Sequence, residues 1–262
     1  MYSGLVIFLY VTVHLVNHSM GLISLEVMEG LRQRVSAFNR NIVVSLTLYG
    51  ALLVHTLLGF HHLLTRRSFK MSAKDWTQLV TSFALPLVLL PHMFASGYTP
   101  RFKDAQTSYK VVLDGMLEDG GIYFMGLFVI FVWVHGIIGI TSMIKFHPVY
   151  QKYKNAFLVV SWLLPILAVL GAVTASKELA TDIENNKIIM EQVYAEANIG
   201  KELEAELMQT SDMLMVNYLF ILLGVILFVF VLHQVRKAFR KIKITYPNGK
   251  EVRVAKGPSI LE

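Results

Sequence analysis

Apolar residues are gathered into six runs of about 20, the length that crosses a hydrocarbon layer as a helix. They cover residues 4–24, 42–64, 77–98, 122–144, 156–175 and 213–235. In lipid only helices and closed barrels satisfy every backbone polar group, and these runs lack a strand's two-residue alternation. The pattern predicts an all-α membrane protein, a bundle of six transmembrane helices. Composition agrees: 55% of the 262 residues are apolar, 16% are charged and mean hydropathy is +0.54, whereas soluble domains are roughly 25% charged. The first run is long, lacks a basic leader and carries histidines, so it is not read as a cleavable signal peptide.

The formal charge of +6 is concentrated in short connections, and reads as topology rather than nucleic-acid binding. "TRRSFKMSAK" after the second run, "KFHPVYQKYK" after the fourth and "RKAFRKIK" after the sixth contain basic residues and no acids. The other connections mix signs or are acidic. The positive-inside rule then places the second and fourth loops and both termini in the cytoplasm. The acidic stretch 177–212 has helix-forming composition. It is expected to form one or two amphipathic helices outside the membrane, with a solvated linker as the alternative. The segment 241–262, "KIKITYPNGKEVRVAKGPSILE", changes character: short β-type runs flank Asn248-Gly249, a dipeptide favoured in tight hairpins. The expected division is a transmembrane domain over 1–243, including an extracytoplasmic helical loop at 176–212, followed by a separate start over 244–262.

The chain has no cysteine. Disulfides, thiolate-bound iron–sulfur clusters and thioether-attached haem are thereby excluded within it. Its candidate chemistry is histidine. The first four runs carry His14 and His18, then His55, His92 and His135, while His233 stands beside the basic tail. Ionisable groups inside a membrane usually face the bundle interior and mark functional sites. At 1.5 Å per residue, His55 and His135 each lie roughly 14 Å from the inner face. His92 and His18 lie about 9 Å from the outer one, with His14 one turn deeper on the same helix face. Two histidine pairs at two levels suit two stacked bis-histidine haems b. Purely structural histidines and other metals remain alternatives, although zinc usually takes four protein ligands, or three and a water, and no carboxylate or thiol accompanies either pair. Gly59, Gly136, Gly139 and Gly21, each near a histidine, would let a flat macrocycle approach its helix.

These segments resemble known ones. "HTLLGFHHLL", from His55, is similar to the H-x-x-x-G-x-R-H-L signature of the succinate dehydrogenase cytochrome b subunit. "HGIIGITSMIKF", from His135, "HMFASGYTP", from His92, and "VHLVNHSMGLIS" in the first run resemble segments of dihaem fumarate reductase cytochrome b. The closer resemblance is to bacterial class III adenylate cyclases carrying such an anchor. Residues 13–26 and 244–262 fit their pattern, the latter as the opening hairpin of a 2Fe-2S ferredoxin-like domain whose cysteines would lie further on. The chain thus looks like a membrane module cut from a longer protein.

The resemblance implies a cytochrome b-like bundle with a short C-terminal hairpin and two haems b, their ligand pairs being His55/His135 and His92 with a histidine of the first helix. For that last ligand the fumarate reductase pattern points to His14, whereas depth and Gly21 favour His18. It further implies a receptor of redox or quinone state in the bacterial inner membrane. This receptor would be homodimeric and would regulate cAMP synthesis by attached cyclase domains, with helix six as the mechanical link. His61 replaces the signature arginine and receives no role. His62, Arg66 and Arg67 are candidates for haem propionates or a quinone headgroup, or else basic residues snorkelling at a membrane boundary. Arg101 and Lys103 are candidates for the outer propionates. The second functional reading is the quinone-reactive anchor of a fumarate reductase or succinate dehydrogenase complex, and the third is a haem-free anchor that dimerises cyclase domains. Nothing in the chain resembles a nucleotide site or paired metal carboxylates, so catalysis is not expected of it.

Overall fold

The computed structural model of the chain describes residues 2–66, 69–117, 121–239, 241–247 and 249–255. Among these are ten α-helices: α1 (Tyr2–Ser19), α2 (Leu25–Asn39), α3 (Ile42–Thr65), α4 (Ala73–Met93), α5 (Thr99–Phe102), α6 (Tyr109–Leu117), α7 (Gly121–Ile144), α8 (Pro148–Glu184), α9 (Met190–Glu196) and α10 (Lys201–Phe239). Six helical segments, built on α1, α3, α4, α7, α8 and α10, are long and apolar enough to cross a membrane. The protein is a multi-pass membrane protein. After α10, strands β1 (Lys241–Thr245) and β2 (Glu251–Ala255) pair antiparallel, with Lys243 opposite Arg253. Asn248 and residues 256–262 lie outside the described residues.

Sequence chemistry sets the helix boundaries. Ser24 and Asn41 cap α2 and α3 by accepting from Val27 N and Val43 N, and Ser72 and Asp75 form a capping box on α4. Such caps satisfy amides that have no partner within the first turn. Helices α8 and α9 end with Asn186 and Asn198 at φ near +55°, the left-handed stop that asparagine tolerates better than most residues.

The six spans are not packed evenly. Helix α1 lies against α8 and α3, α4 lies against α7 and α10, and α7 also meets α8. At the α1–α8 crossing two glycines face each other: a Cβ on Gly171 would lie 2.2 Å from the His18 carbonyl oxygen, and one on Gly21 2.3 Å from that of Gly171. Only glycine allows this approach. Leu15, Trp133, Ile137 and Ala168 fill the buried cluster beneath it.

Helices α8 and α10, with 37 and 39 residues, are roughly 55 Å long, well beyond the ~30 Å hydrocarbon layer. Their extensions join α2, α6 and α9 in a cap over one end of the bundle. The stretch 177–212 is therefore mostly helical, built from the end of α8, the short α9 and the start of α10. The cap has its own core of Leu25, Met28, Tyr109, Leu113, Ala175 and Leu179. Residue Glu29 ties it together, accepting from the Arg32 guanidinium, the Gln33 amide and the Tyr109 backbone N–H.

Burial by itself would raise the Glu29 carboxyl. The Arg32 and Tyr109 hydrogen bonds, the Arg32 charge and the Gln33 hydrogen bond outweigh it and hold the group below its usual range. A depressed folded value means that Glu29 contributes stability above the unfolded value near 4.3. That contribution is lost as pH falls through the folded value. With solvent screening it is worth less than about 1 kcal/mol. Thermal melts in detergent should show a gap between wild type and Glu29→Gln that is constant above about pH 5 and closes in acid. A gap that widens in acid would contradict this account.

Candidate functional site

The five histidines read as candidate ligands, His14, His18, His55, His92 and His135, converge between the α1–α3 and α4–α7 pairs. At the level nearer the β-strands, His55 of α3 faces His135 of α7, with ring centres 6.1 Å apart. Residue Gly4 of α1 makes room for the His55 ring, since a Cβ there would lie 3.2 Å from His55 Cε1. Ten residues further along α1, roughly 15 Å by helical rise, His14 faces His92 of α4 with ring centres 5.8 Å apart. On the same face, His18 places Nε2 3.1 Å from His14 Nε2. The two levels are built from four separate helices.

Local structure explains how each ring is aimed. Helical spacing of four residues stacks His14 and His18. Before His92, Pro91 lacks an N–H and loosens the ladder of α4. A π-helical turn follows at Phe94–Tyr98, and Ser96 Oγ donates to the His92 carbonyl at 2.6 Å. Residue Thr81 gives its proton to the Thr77 carbonyl at 2.7 Å and lies 3.2 Å from His135 Nδ1. Its oxygen is then the acceptor, so the network assigns the His135 proton to Nδ1 and leaves the Nε2 lone pair toward the interior. There Gln78 Nε2 approaches it at 3.4 Å.

The residues can be tested against haem. Metal–imidazole bonds of about 2.0–2.1 Å put the ring centres of two opposed ligands roughly 6.3 Å apart, close to both observed spacings. Buried polar atoms without partners, Gln78 Oε1 and Ser3 Oγ among them, also lie in this part of the molecule, beside His135 and Gly4. No group of three or more His, Cys, Asp or Glu suited to a bare metal ion occurs among the described residues. The donor set fits a planar group with two axial imidazoles.

Of the two helix-one candidates, His14 has the ring spacing to His92, while His18 has the orienting partner, Tyr109 Oη at 3.3 Å from Nδ1. The glycine expectation holds in part. Residue Gly21 packs on Gly171 and Gly136 on the Phe8 ring, so both serve helix contact, whereas Gly59 and Gly139 have nothing within 4 Å of an added Cβ.

The charged candidates are not gathered at the histidines. His61 and His62 are exposed, Arg66 caps α3 through its N–H to the Leu63 carbonyl, and Arg67 lies outside the described residues. Arg101 donates to the carbonyls of Gly97 and Asn39 and to the Ser45 and Tyr49 hydroxyls, pinning the start of α3 to the end of α4. Lys103 pairs with Glu206. The His233 ring stands against Phe69, 5.5 Å between centres.

Sequence reading passed over Thr81, Gln78, Asn17 and Tyr109. Helix α6 had a usable signal in Tyr109, Leu113 and Met116, spaced i, i+4, i+7. The polar side chains carried none, because a threonine or glutamine in a span becomes meaningful only once its neighbour is known. Comparison of the chain with protein-family models, curated proteins and solved structures finds no match.

Proposed function

We propose that this chain is a haem b-binding transmembrane module that senses redox or quinone state and regulates an adenylate cyclase. One observation carries the haem reading: histidines from four helices oppose each other at two levels, at 6.1 and 5.8 Å between ring centres. His55 and His135 would hold one haem, and His92 with His14 or His18 the other. Bound haem supplies one-electron redox chemistry at a potential set by its ligands and surroundings. The chain's part is to orient the imidazoles, exclude water with apolar helices and hold the orienting hydroxyls at Thr81 and Tyr109.

The order of the histidine segments and the "ITYPNGKEVRV" stretch supports a cytochrome b-like bundle feeding a ferredoxin-like start and a cyclase. In this reading the cap faces away from the cytoplasm, the basic loops and both termini face into it across the bacterial inner membrane, and the assembly is a homodimer. His62 and Arg66 belong to a propionate or quinone site at the cytoplasmic end. A link from the histidine helices to the tail passes through Arg236 of α10, which donates to the Leu64 carbonyl at the end of α3 at 2.7 Å.

Reduced-minus-oxidised spectra and a haem assay on the purified chain test this. Two haems b per chain are expected. No haem would sink the reading, and one per chain would remove one of the two pairs.

A further inference from the structure

One polar connection crosses from the cap into the histidine site. Asn17 Nδ2 donates to Tyr109 Oη at 2.8 Å, and that oxygen lies 3.3 Å from His18 Nδ1. Tyr109 belongs to α6, outside the spans. It is 4% exposed, packed in the cap core, and its backbone N–H is held by Glu29 of α2 at 2.9 Å. Asn17 is 3% exposed and adjoins His18 in α1. A buried hydroxyl held by Asn17 on a tyrosine whose backbone is held by Glu29, and aimed at an imidazole nitrogen, restrains the ring's rotation. At the other level a hydroxyl also lies against a histidine Nδ1, that of Thr81 at 3.2 Å from His135. Histidines that bind metals characteristically have the other ring nitrogen held in this way, and such partners tune the metal.

We propose that Tyr109 is the positioning residue of the cap-end histidine site, holding His18 through its hydroxyl and thereby coupling the cap to that site. The inference rests on the haem reading above. It selects Tyr109 and Asn17 for the cap-end centre and Thr81 for the other, and it makes the cap a determinant of one centre's properties.

The test is redox potentiometry and low-temperature EPR on the purified full chain. Tyr109→Phe removes one oxygen and keeps the ring in the cap core. The variant should retain both haems and shift the midpoint of the cap-end centre. The shift should correspond to roughly a tenfold change in its oxidised-to-reduced ratio, the order of the effect that losing an outer-shell partner has on metal affinity. Its low-spin EPR signal should move as well, while the other centre stays unchanged. Asn17→Ala should move the same centre in the same direction, and Thr81→Val should move only the other. Two haems with unaltered midpoints and signals in Tyr109→Phe and Asn17→Ala would overturn the proposal, as would equal shifts of both centres. Absence of haem from the wild-type chain would instead overturn the haem reading itself.

Discussion

Replacing His135 with alanine is expected to abolish one of two b-type spectral species and spare the other. His135 has one ring nitrogen beside Thr81 and the other beside Gln78, and its ring faces that of His55. No other histidine is within ring contact of this pair among the described residues, so no substitute ligand is at hand. His55→Ala should delete the same species, and His92→Ala the other one. The haem-to-chain ratio should fall from two to about one in each case, since low-spin haem depends on both axial imidazoles. Retention of both species in His135→Ala and His55→Ala would refute the pairing. Separate His14→Ala and His18→Ala variants decide the helix-one ligand, because only the true ligand's loss removes the second species.

The second large effect concerns a backbone contact. Gly171→Ala would place a methyl group 2.2 Å from the His18 carbonyl, far inside van der Waals distance. A flexible side chain could swing away, but a helix backbone can only move as a body. Helices α1 and α8 must therefore separate, displacing His18 and the buried cluster around Leu15 and Ala168. Overpacking typically costs about 1–3 kcal/mol, and strain against backbone sits at the upper end. Melting in detergent should drop clearly for Gly171→Ala, and the cap-end haem should be lost or altered while the His55/His135 species persists. Gly30→Ala is the control: it has open space around it in α2, and alanine is the better helix former by about 1 kcal/mol. A Gly171→Ala protein as stable as wild type would show that this crossing is looser than described.

The spans were legible because each carries its own hydrophobic signal. The expected 42–64 and 122–144 lie within α3, Ile42–Thr65, and α7, Gly121–Ile144, as lipid demands about 20 apolar residues wherever a helix crosses. The pairing of His55 with His135 could be anticipated from depth, since helical rise converts residue number into height. The choice between His14 and His18 could not. They share a face and differ by one turn, about 6 Å, and the packing divides between them, setting His14 against His92 of α4 and His18 against Tyr109 of α6. Arg101 shows the same limit: its charge suggested an anionic ligand, and the structure commits its donors to two backbone carbonyls and two hydroxyls.

Number of spans, their lengths, the histidine levels and the absence of thiol chemistry are local or one-dimensional properties, and composition with periodicity decides them. Which helices touch, and what each histidine's second nitrogen meets, are properties of pairs distant in the chain. The Gly21–Gly171 approach joins residues 150 apart in sequence (171 minus 21), and Tyr109 reaches His18 across 91 residues. Lipid drives apolar helices into the membrane without specifying their neighbours, because its tails are as apolar as the side chains. Close backbone contact and a few buried hydrogen bonds make that choice, and these exist only in the folded bundle.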